Sequence, residues 1–285
     1  MRLVTFRNGG APRLGVRTDE GVIPSDYCSV VDLLAAGEDG LRALRAAARR
    51  PRRHSVVHAP QLLAPVPLPV KLLCCGLNYA EHLEEYVDDY LGGVTPDAPP
   101  IFAKLSTSVI GPGEPIIMPT PESKLDYEVE LALVIGRRAK HVSAAQALEY
   151  VFGYTVVNDV SARDVQFARQ RQLTLGKGMD SFCPMGPELV LTDEIPDPSK
   201  LNLRTTVNGH ERQSAPAAEM LTDVQHLIEF VSASVTLEPG DVLATGSPAG
   251  AGHFRKPPLY LQPGDEVTVE VDGVGKLTNP VIAGW

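Results

Sequence analysis

Two glutamates interrupt an otherwise apolar stretch, "KLDYEVELALVIG" at 124–136. Successive side chains of a strand alternate between faces. Glu128 and Glu130 therefore share a face with Ala132 and Val134, while Val129, Leu131 and Leu133 take the other. Two carboxylates side by side on a partly apolar face repel each other and lose hydration. Either that face is wet and the charges serve solubility, or a cation neutralises them. A second stretch, "GYTVVNDVSARD" at 153–164, reads as a strand from Tyr154 to Val157 that ends in Asn158-Asp159. A strand-end aspartate beside the two glutamates would complete a three-carboxylate set suited to Mg²⁺, Mn²⁺ or Ca²⁺. Zinc is disfavoured, because no His or Cys stands at ligand spacing. The E-x-E pattern is common, so spacing alone leaves both readings open.

Three further groups could carry chemistry. His82 and Glu85 stand three apart on a predicted helix, "YAEHLEEYVDDYL" at 79–91. Residues at that spacing are neighbours on a helix surface. A carboxylate beside an imidazole orients it and raises its basicity, as in a general base; the same pair on a surface is an ordinary ion pair. Lys177, in "LGKGMDSFCPMGP", is flanked by glycines that let a ligand approach the backbone. It could hold an anion or be an exposed loop lysine. "LATGSPAGAG" at 243–252 offers the hydroxyls of Thr245 and Ser247 in a small-residue loop. Amides in such loops can hold a carboxylate or oxyanion, and the loop can equally be a plain turn. No G-x-S-x-G elbow is present, which argues against a serine hydrolase. His54, His58, His141, His210, His226 and His253 are isolated and carry no assigned role.

Elements must position these groups. Residues 1–24 read as three short strands, "RLVTF", "RLGVRT" and "GVIPS", separated by turns. Residues 30–50 read as a helix in two pieces broken by Gly37 and Gly40. "APQLLAPVPLPVK" at 59–71 carries four prolines and suits an extended connector; a domain boundary is expected near residue 68. Strand "KLLCCGLN" then leads into the acidic helix at 79–91, which carries no obvious apolar stripe, and into a Gly/Pro loop at 92–100. Helices are expected at 143–150, with Ser143 as its N-cap, and near 222–233. Two x-Pro-Gly-Asp turns, at 238–241 and 262–265, each lead into a strand. The pattern is β-rich, with no G-x-G-x-x-G and no P-loop.

Composition excludes other classes. The 285 residues are 44% hydrophobic, enough for one large or two modest domains. The 25 glycines and 25 prolines exceed the average share of about 12% and imply many turns. A net charge of −9 argues against nucleic acid. The one basic cluster, "RALRAAARRPRRH" at 42–54, reads as a helix running into a Pro-broken linker. "MRLVTFRNGG" is no signal peptide, and no run of 18 apolar residues predicts a membrane span. Cys28, Cys74, Cys75 and Cys183 form no C-x-x-C pattern. Cys74 and Cys75 read as buried reduced thiols, which fits a reducing cytoplasm.

The order of these segments carries more than any one of them. "GLNYAEHLEE", "DYEVELALVIG", "GYTVVNDVSARDVQ", "GKGMDSFCPMGP", "VNG", "PGDVLATGSPAG" and "PGDEVTVEVDGVGKLTNPV" together closely resemble the fumarylacetoacetate hydrolase family, two-part bacterial type. The resemblance runs from about residue 70 to the C-terminus. It implies an α+β, β-rich fold: a mixed β-sandwich roll over 69–285, with a small N-terminal α/β domain over 1–68. It also implies a homodimer and a divalent cation, Mg²⁺ or Mn²⁺, for which Ca²⁺ can stand in crystals. Carried over by position, the metal ligands are Glu128, Glu130 and Asp159, and the family's mobile His–Glu dyad is His82 and Glu85. Lys177 matches the site lysine. Arg163 and Gln166 fall in the "ARDxQ" segment and, with Lys177, Thr245 and Ser247, are expected to bind the substrate; Ser247 stands where relatives usually have threonine. Three departures bear on substrate size and shape. The family's K-x-F-D is Lys177-Gly178-Met179-Asp180, a tryptophan ahead of that lysine is replaced by "RQLTLGK", and the threonine of T-x-x-M is missing from "QSAPAAEM".

The activity this implies is cleavage of a C–C bond in an acylpyruvate or related 2,4-dioxo acid, fumarylpyruvate-like. His82, oriented by Glu85, would activate water, Lys177 would hold charge on oxygen, and pyruvate would leave through a metal-bound enolate. Segment 79–100 would close as a lid. Oxaloacetate decarboxylation, 2-hydroxy-dienoate isomerisation and a hydratase-type reaction use the same electron sink. A non-catalytic small-molecule binder is the alternative of another class. In every case the expected partner is a small 2-oxo acid, not nucleic acid or a membrane.

Overall fold

A computed structural model of the chain describes residues 1–49, 56–90, 96–168 and 172–284, with backbone alone at 87–90. The N-terminal strands are β1 (Arg2–Arg7), β2 (Arg13–Thr18) and β3 (Gly21–Pro24), followed by α1 (Val30–Ala35) and α2 (Gly37–Arg49). Next come β4 (Gln61–Leu63), β5 (Leu72–Cys75), α3 (Ala80–Tyr90), β6 (Ile101–Ala103), β7 (Val109–Ile110) and β8 (Ile116–Met118). β9 (Leu125–Asp126), β10 (Val129–Ile135), β11 (Val151–Asn158) and β12 (Ser161–Ala162) carry the acidic motifs, and two short helices follow, α4 (Arg163–Gln166) and α5 (Leu173–Lys177). The rest are β13 (Cys183–Leu191), β14 (Asn202–Val207), β15 (His210–Pro216), α6 (Val224–Ser234), β16 (Val242–Ala244), β17 (Glu266–Val271) and β18 (Gly275–Ala283).

β10 shows why the layers stack as they do. All seven of its residues are buried, so both faces must be covered. Leu131, Leu133 and Ile135 pack with Leu203 of β14, Val269 and Val271 of β17, Leu277 of β18 and the apolar face of α6. Ala132 and Val134, on the opposite face, pack with Val30 and Leu33 of α1 and Leu44 of α2. Each such leucine, isoleucine or valine contributes about 1.5–3 kcal/mol on full burial. Among the described residues the larger sheet runs β3-β2-β1-β13-β11-β10-β16-β5-β6, with β4 on β1 and β7 on β13. A second sheet, β15-β14-β17-β18-β8, lies against its first face. The expected strand-rich α+β sandwich is borne out.

The boundary expected near residue 68 falls between β4 and β5, yet neither sheet nor core stops there. β1 pairs antiparallel with β13, Leu3 opposite Leu189. Leu3, Leu14 and Val16 share one apolar cluster with Leu72, Val157 and Met185. Arg2 donates to the Glu188 carboxylate at 2.6 Å and to the Gly273 carbonyl at 2.7 Å.

Local expectations need three corrections. The break between α1 and α2 falls at Ala36, with Gly37, at φ +62°, opening α2, but Gly40 lies inside α2. Glycine is required there for space: a Cβ would stand 2.7 Å from the Tyr27 hydroxyl and 2.6 Å from Ala36 Cβ. The helix at 143–150 is a 3₁₀ helix over Ala144–Tyr150, and Ser143 does not cap it. The Ala144 amide instead donates to Glu229 of α6 at 3.0 Å, and the Ser143 hydroxyl donates to Gln146. Finally, α3 lacks an aliphatic stripe but is not unpacked, because His82 and Tyr86, one turn apart, are both buried. Residues 50–54 of the basic cluster and 92–95 of the Gly/Pro loop lie outside the described residues.

The cysteines give a first prediction. Cys28 is exposed, whereas Cys74, Cys75 and Cys183 are buried. Burial pushes the Cys183 thiol up to about 12 and raises Cys74 well above its ordinary value, with the charges of Asp159 and Glu130 adding to the latter. Since the thiolate is the reactive form, a disulfide reagent is expected to titrate one thiol quickly in the native protein and the other three only on unfolding. Rapid native reaction of more than one thiol would contradict this burial pattern.

Candidate active site

Strand ends bring the acidic groups together. Val129 at the start of β10 pairs with Asn158 at the end of β11. The Asn158 side chain accepts from the Glu128 amide at 3.0 Å, and the Asp159 amide donates to the Glu128 carbonyl at 2.8 Å. The chain reversal after β11 thus sets Asp159 beside Glu128. Glu130 is held from the other side, its carboxylate accepting from the Gly246 amide at 2.9 Å. Glu128, Glu130 and Asp159 all line one cavity of about 180 Å³, with His82, Gln166, Lys177 and Ser247. Tyr86, Pro100, Phe102, Phe167 and Leu173 form its apolar wall.

α3 delivers the dyad to this cavity. His82 is only 3% exposed. Its Nδ1 lies 2.8 Å from Glu85 Oε2, and its Nε2 lies 3.4 Å from Glu128 Oε1. Burial alone would depress the imidazole pKa, but hydrogen bonds and charge from Glu128 and Glu85 outweigh it and hold the pKa above its ordinary value. The second oxygen of Glu85 accepts from the Gly250 amide at 3.0 Å, which ties α3 to the loop after β16.

Cations neutralise most of the acidic cluster. The Lys177 ammonium, at the end of α5, donates to both Glu128 and Asp159. Lys104, following β6, is buried and donates to the other oxygen of Asp159 and to the Val160 carbonyl. Arg163 donates from Nη2 to Glu128 at 2.7 Å and from Nε to Asp126 at 2.9 Å. Burial alone would raise the Glu128 pKa, but Arg163 and Lys177 hold it well below the usual carboxylate range. Glu130 goes the other way: burial, then the charge on Asp159, push it well above that range. The site is therefore short of positive charge at Glu130.

Two residues expected at a ligand stand behind the cavity wall instead. Arg163 is 1% exposed, and its fork is spent on Asp126, Glu128, Tyr86 and Gln166. Thr245 is buried and its hydroxyl donates to the Leu131 carbonyl. Sequence reasoning missed Lys104, Asp126, Tyr86 and Gln213. Asp126 continues the alternation of Glu128 and Glu130 by one step, and Tyr86 is one turn from His82, so both had a local signal. Asp126 also accepts from the amides of Gly252 and His253 at 2.7 and 3.0 Å. Glycine is needed at 252, where a Cβ would lie 1.9 Å from the Leu259 carbonyl.

Among the described residues, no three His, Cys, Asp or Glu side chains already close around one point as a metal cage. The donor chemistry nonetheless fits a hard cation: three buried carboxylates line one cavity, all offering oxygen. A cation held by all three would share Glu128 and Asp159 with the Lys177 ammonium.

Comparison with known proteins agrees with this arrangement. The family model for the fumarylacetoacetate (FAA) hydrolase C-terminal domain matches residues 71–282. The chain belongs to the fumarylacetoacetate hydrolase family, and like its members it is an enzyme. Oxaloacetate tautomerase Fahd2a, mitochondrial, of Rattus norvegicus is 44% identical over 296 residues, 99% of this chain and 92% of the rat protein. A solved fumarylacetoacetate hydrolase from the psychrophile Exiguobacterium antarcticum is 38% identical, with a TM-score of 0.85 over 99% of each chain. Maleylpyruvate hydrolase from Sphingobium sp. SYK-6, solved with manganese(II) and pyruvate, is 28% identical, with a TM-score of 0.80 over 100% of each chain. No helix among the described residues is long and apolar enough to cross a membrane.

Proposed function

We propose that the chain is a divalent-cation-dependent enzyme that interconverts the keto and enol forms of a small 2-oxo acid of the oxaloacetate type. The observation that carries this reading is the position of His82, whose Nε2 is 3.4 Å from Glu128 in the wall of the carboxylate-lined cavity. A base so close to the three carboxylates would lie within reach of a C–H next to a 2-oxo group held there. The rat relative's name supports the same reaction.

Glu128, Glu130 and Asp159 would hold the cation, Mg²⁺ or Mn²⁺. When bound, it draws electrons from the 2-oxo carbonyl and acidifies the adjacent C–H. Glu85 accepts the Nδ1 proton of His82, which leaves Nε2 as the atom that takes the proton from carbon. Returned to the 2-oxo oxygen, that proton gives the enol; the reverse path gives the keto acid. Lys177 and Ser247 donate to oxygens of the acid. The apolar wall of Tyr86, Phe102 and Phe167 keeps bulk water from the proton in transit. The working unit in this reading is a homodimer, to be tested by light scattering in solution.

A second reading, hydrolysis of an acylpyruvate, is favoured by the buried His82–Glu85 pair, which could equally activate water, and by the pyruvate in the maleylpyruvate hydrolase neighbour. One experiment separates them. Enol–keto interconversion of oxaloacetate is expected to stop in EDTA and to return with Mg²⁺ or Mn²⁺. Cleavage of a 2,4-dioxo acid much faster than oxaloacetate tautomerisation would replace the first reading by the second. Full activity in metal-free protein would remove both.

A further inference from the structure

Gln213 lies on β15, 1% exposed, opposite Thr205 of β14. Its amide makes four hydrogen bonds. The oxygen accepts from the Val129 amide at 3.1 Å and from the Thr205 hydroxyl at 2.8 Å. The nitrogen donates to Ser247 Oγ at 2.8 Å and to the Pro248 carbonyl at 2.7 Å. A carboxamide offers two donors and an oxygen with two lone pairs, so the group is fully used. Its orientation is not free either. The Val129 N–H can only donate and the Pro248 carbonyl can only accept, so the oxygen faces β10 and the nitrogen faces Ser247.

This has a consequence for Ser247, whose hydroxyl oxygen is committed as an acceptor to Gln213. Its one hydrogen finds no protein acceptor among the described residues. Ser247 lines the cavity, and the neighbouring Gly246 amide holds Glu130. We infer that Gln213 is a positioning residue: it fixes Ser247 as a hydrogen-bond donor aimed at an oxygen of the bound acid. The same glutamine ties the loop after β16 to Val129, one residue from Glu128, so the donor and the carboxylate set keep a constant spacing. The inference rests on the reading of the cavity as a 2-oxo acid site.

The test is a double-mutant cycle read by calorimetric binding of oxalate to Mg²⁺-loaded protein. Gln213→Met and Ser247→Ala are each expected to weaken oxalate about tenfold, the scale of one hydrogen bond to a charged group. The double variant is expected to bind no more weakly than Ser247→Ala alone, because Gln213 acts only through that hydroxyl. Multiplying losses would reveal a merely structural role and overturn the inference, as would unchanged affinity in Gln213→Met. If Gln213→Met does not fold, Thr205→Val removes one of the two hydrogen bonds to the amide oxygen and is expected to weaken oxalate only when Ser247 is present; an equal loss without Ser247, or none with it, overturns the inference. Failure of the wild type to bind oxalate would instead sink the reading of the cavity itself.

Discussion

Replacing His82 by alanine is expected to lower turnover by about 10²–10⁴, the usual scale for a positioned proton carrier, while the protein still binds its cation. The imidazole is buried, its Nδ1 is fixed by Glu85 at 2.8 Å, and its Nε2 faces the cavity beside Glu128. Water admitted by the truncation is a far weaker base than imidazole. Cation affinity should survive because His82 is not one of the three carboxylates. Glu85→Gln is expected to act in the same direction but less, since the imidazole remains and only its orientation and basicity suffer. Turnover assays paired with calorimetric Mn²⁺ binding check both variants. A His82→Ala enzyme within tenfold of wild type would mean that another group moves the proton.

The second large effect is on stability. Arg163 is fully buried against Asp126 and Glu128 at 2.9 and 2.7 Å. Arg163→Met fills much the same volume but leaves buried Asp126 with backbone amides alone and Glu128 with Lys177 as its remaining cation. Removing one partner of a buried ion pair costs about 3–5 kcal/mol, and urea unfolding of Arg163→Met is expected to report a loss of that order. Arg163→Lys keeps the charge but loses the planar fork that reaches both carboxylates at once, so a smaller loss is expected. A loss below about 1 kcal/mol in Arg163→Met, the level of an ordinary substitution, would show that the cluster tolerates its charges without the guanidinium.

How far the site was legible depended on the range of the signal. Glu128 and Glu130 could be assigned to one face because strand alternation is local, and Asp159 could be assigned to a strand end for the same reason. The spacing of His82 and Glu85 is likewise a property of one helix turn. Lys104 had no such signal: a single lysine in "PPIFAKL" becomes informative only once β5 and β6 carry it to Asp159. Gln213 was opaque because only its hairpin partner Thr205 is near it in sequence, and its other three bonds go to β10 and the loop after β16. Arg163 lay in a segment whose resemblance suggested contact with a ligand, yet the fold spends it on Asp126 and Glu128. The three N-terminal strands were readable from their turns, but the pairing of Leu3 with Leu189 is not, since nothing local in either segment names its partner.

That pairing bears on how this chain could be cut or recombined. The match to the family begins at residue 71, which invites excision of everything before it. A fragment so trimmed would lose the strand beside Leu189 and the helices over Ala132 and Val134. It would be left with an unpaired sheet edge and a bare aliphatic surface, the two features that make chains stick to one another. Self-association is the expected fate of such a fragment. A gene fusion at this point should therefore carry the first 68 residues along, however modular the sequence looks there.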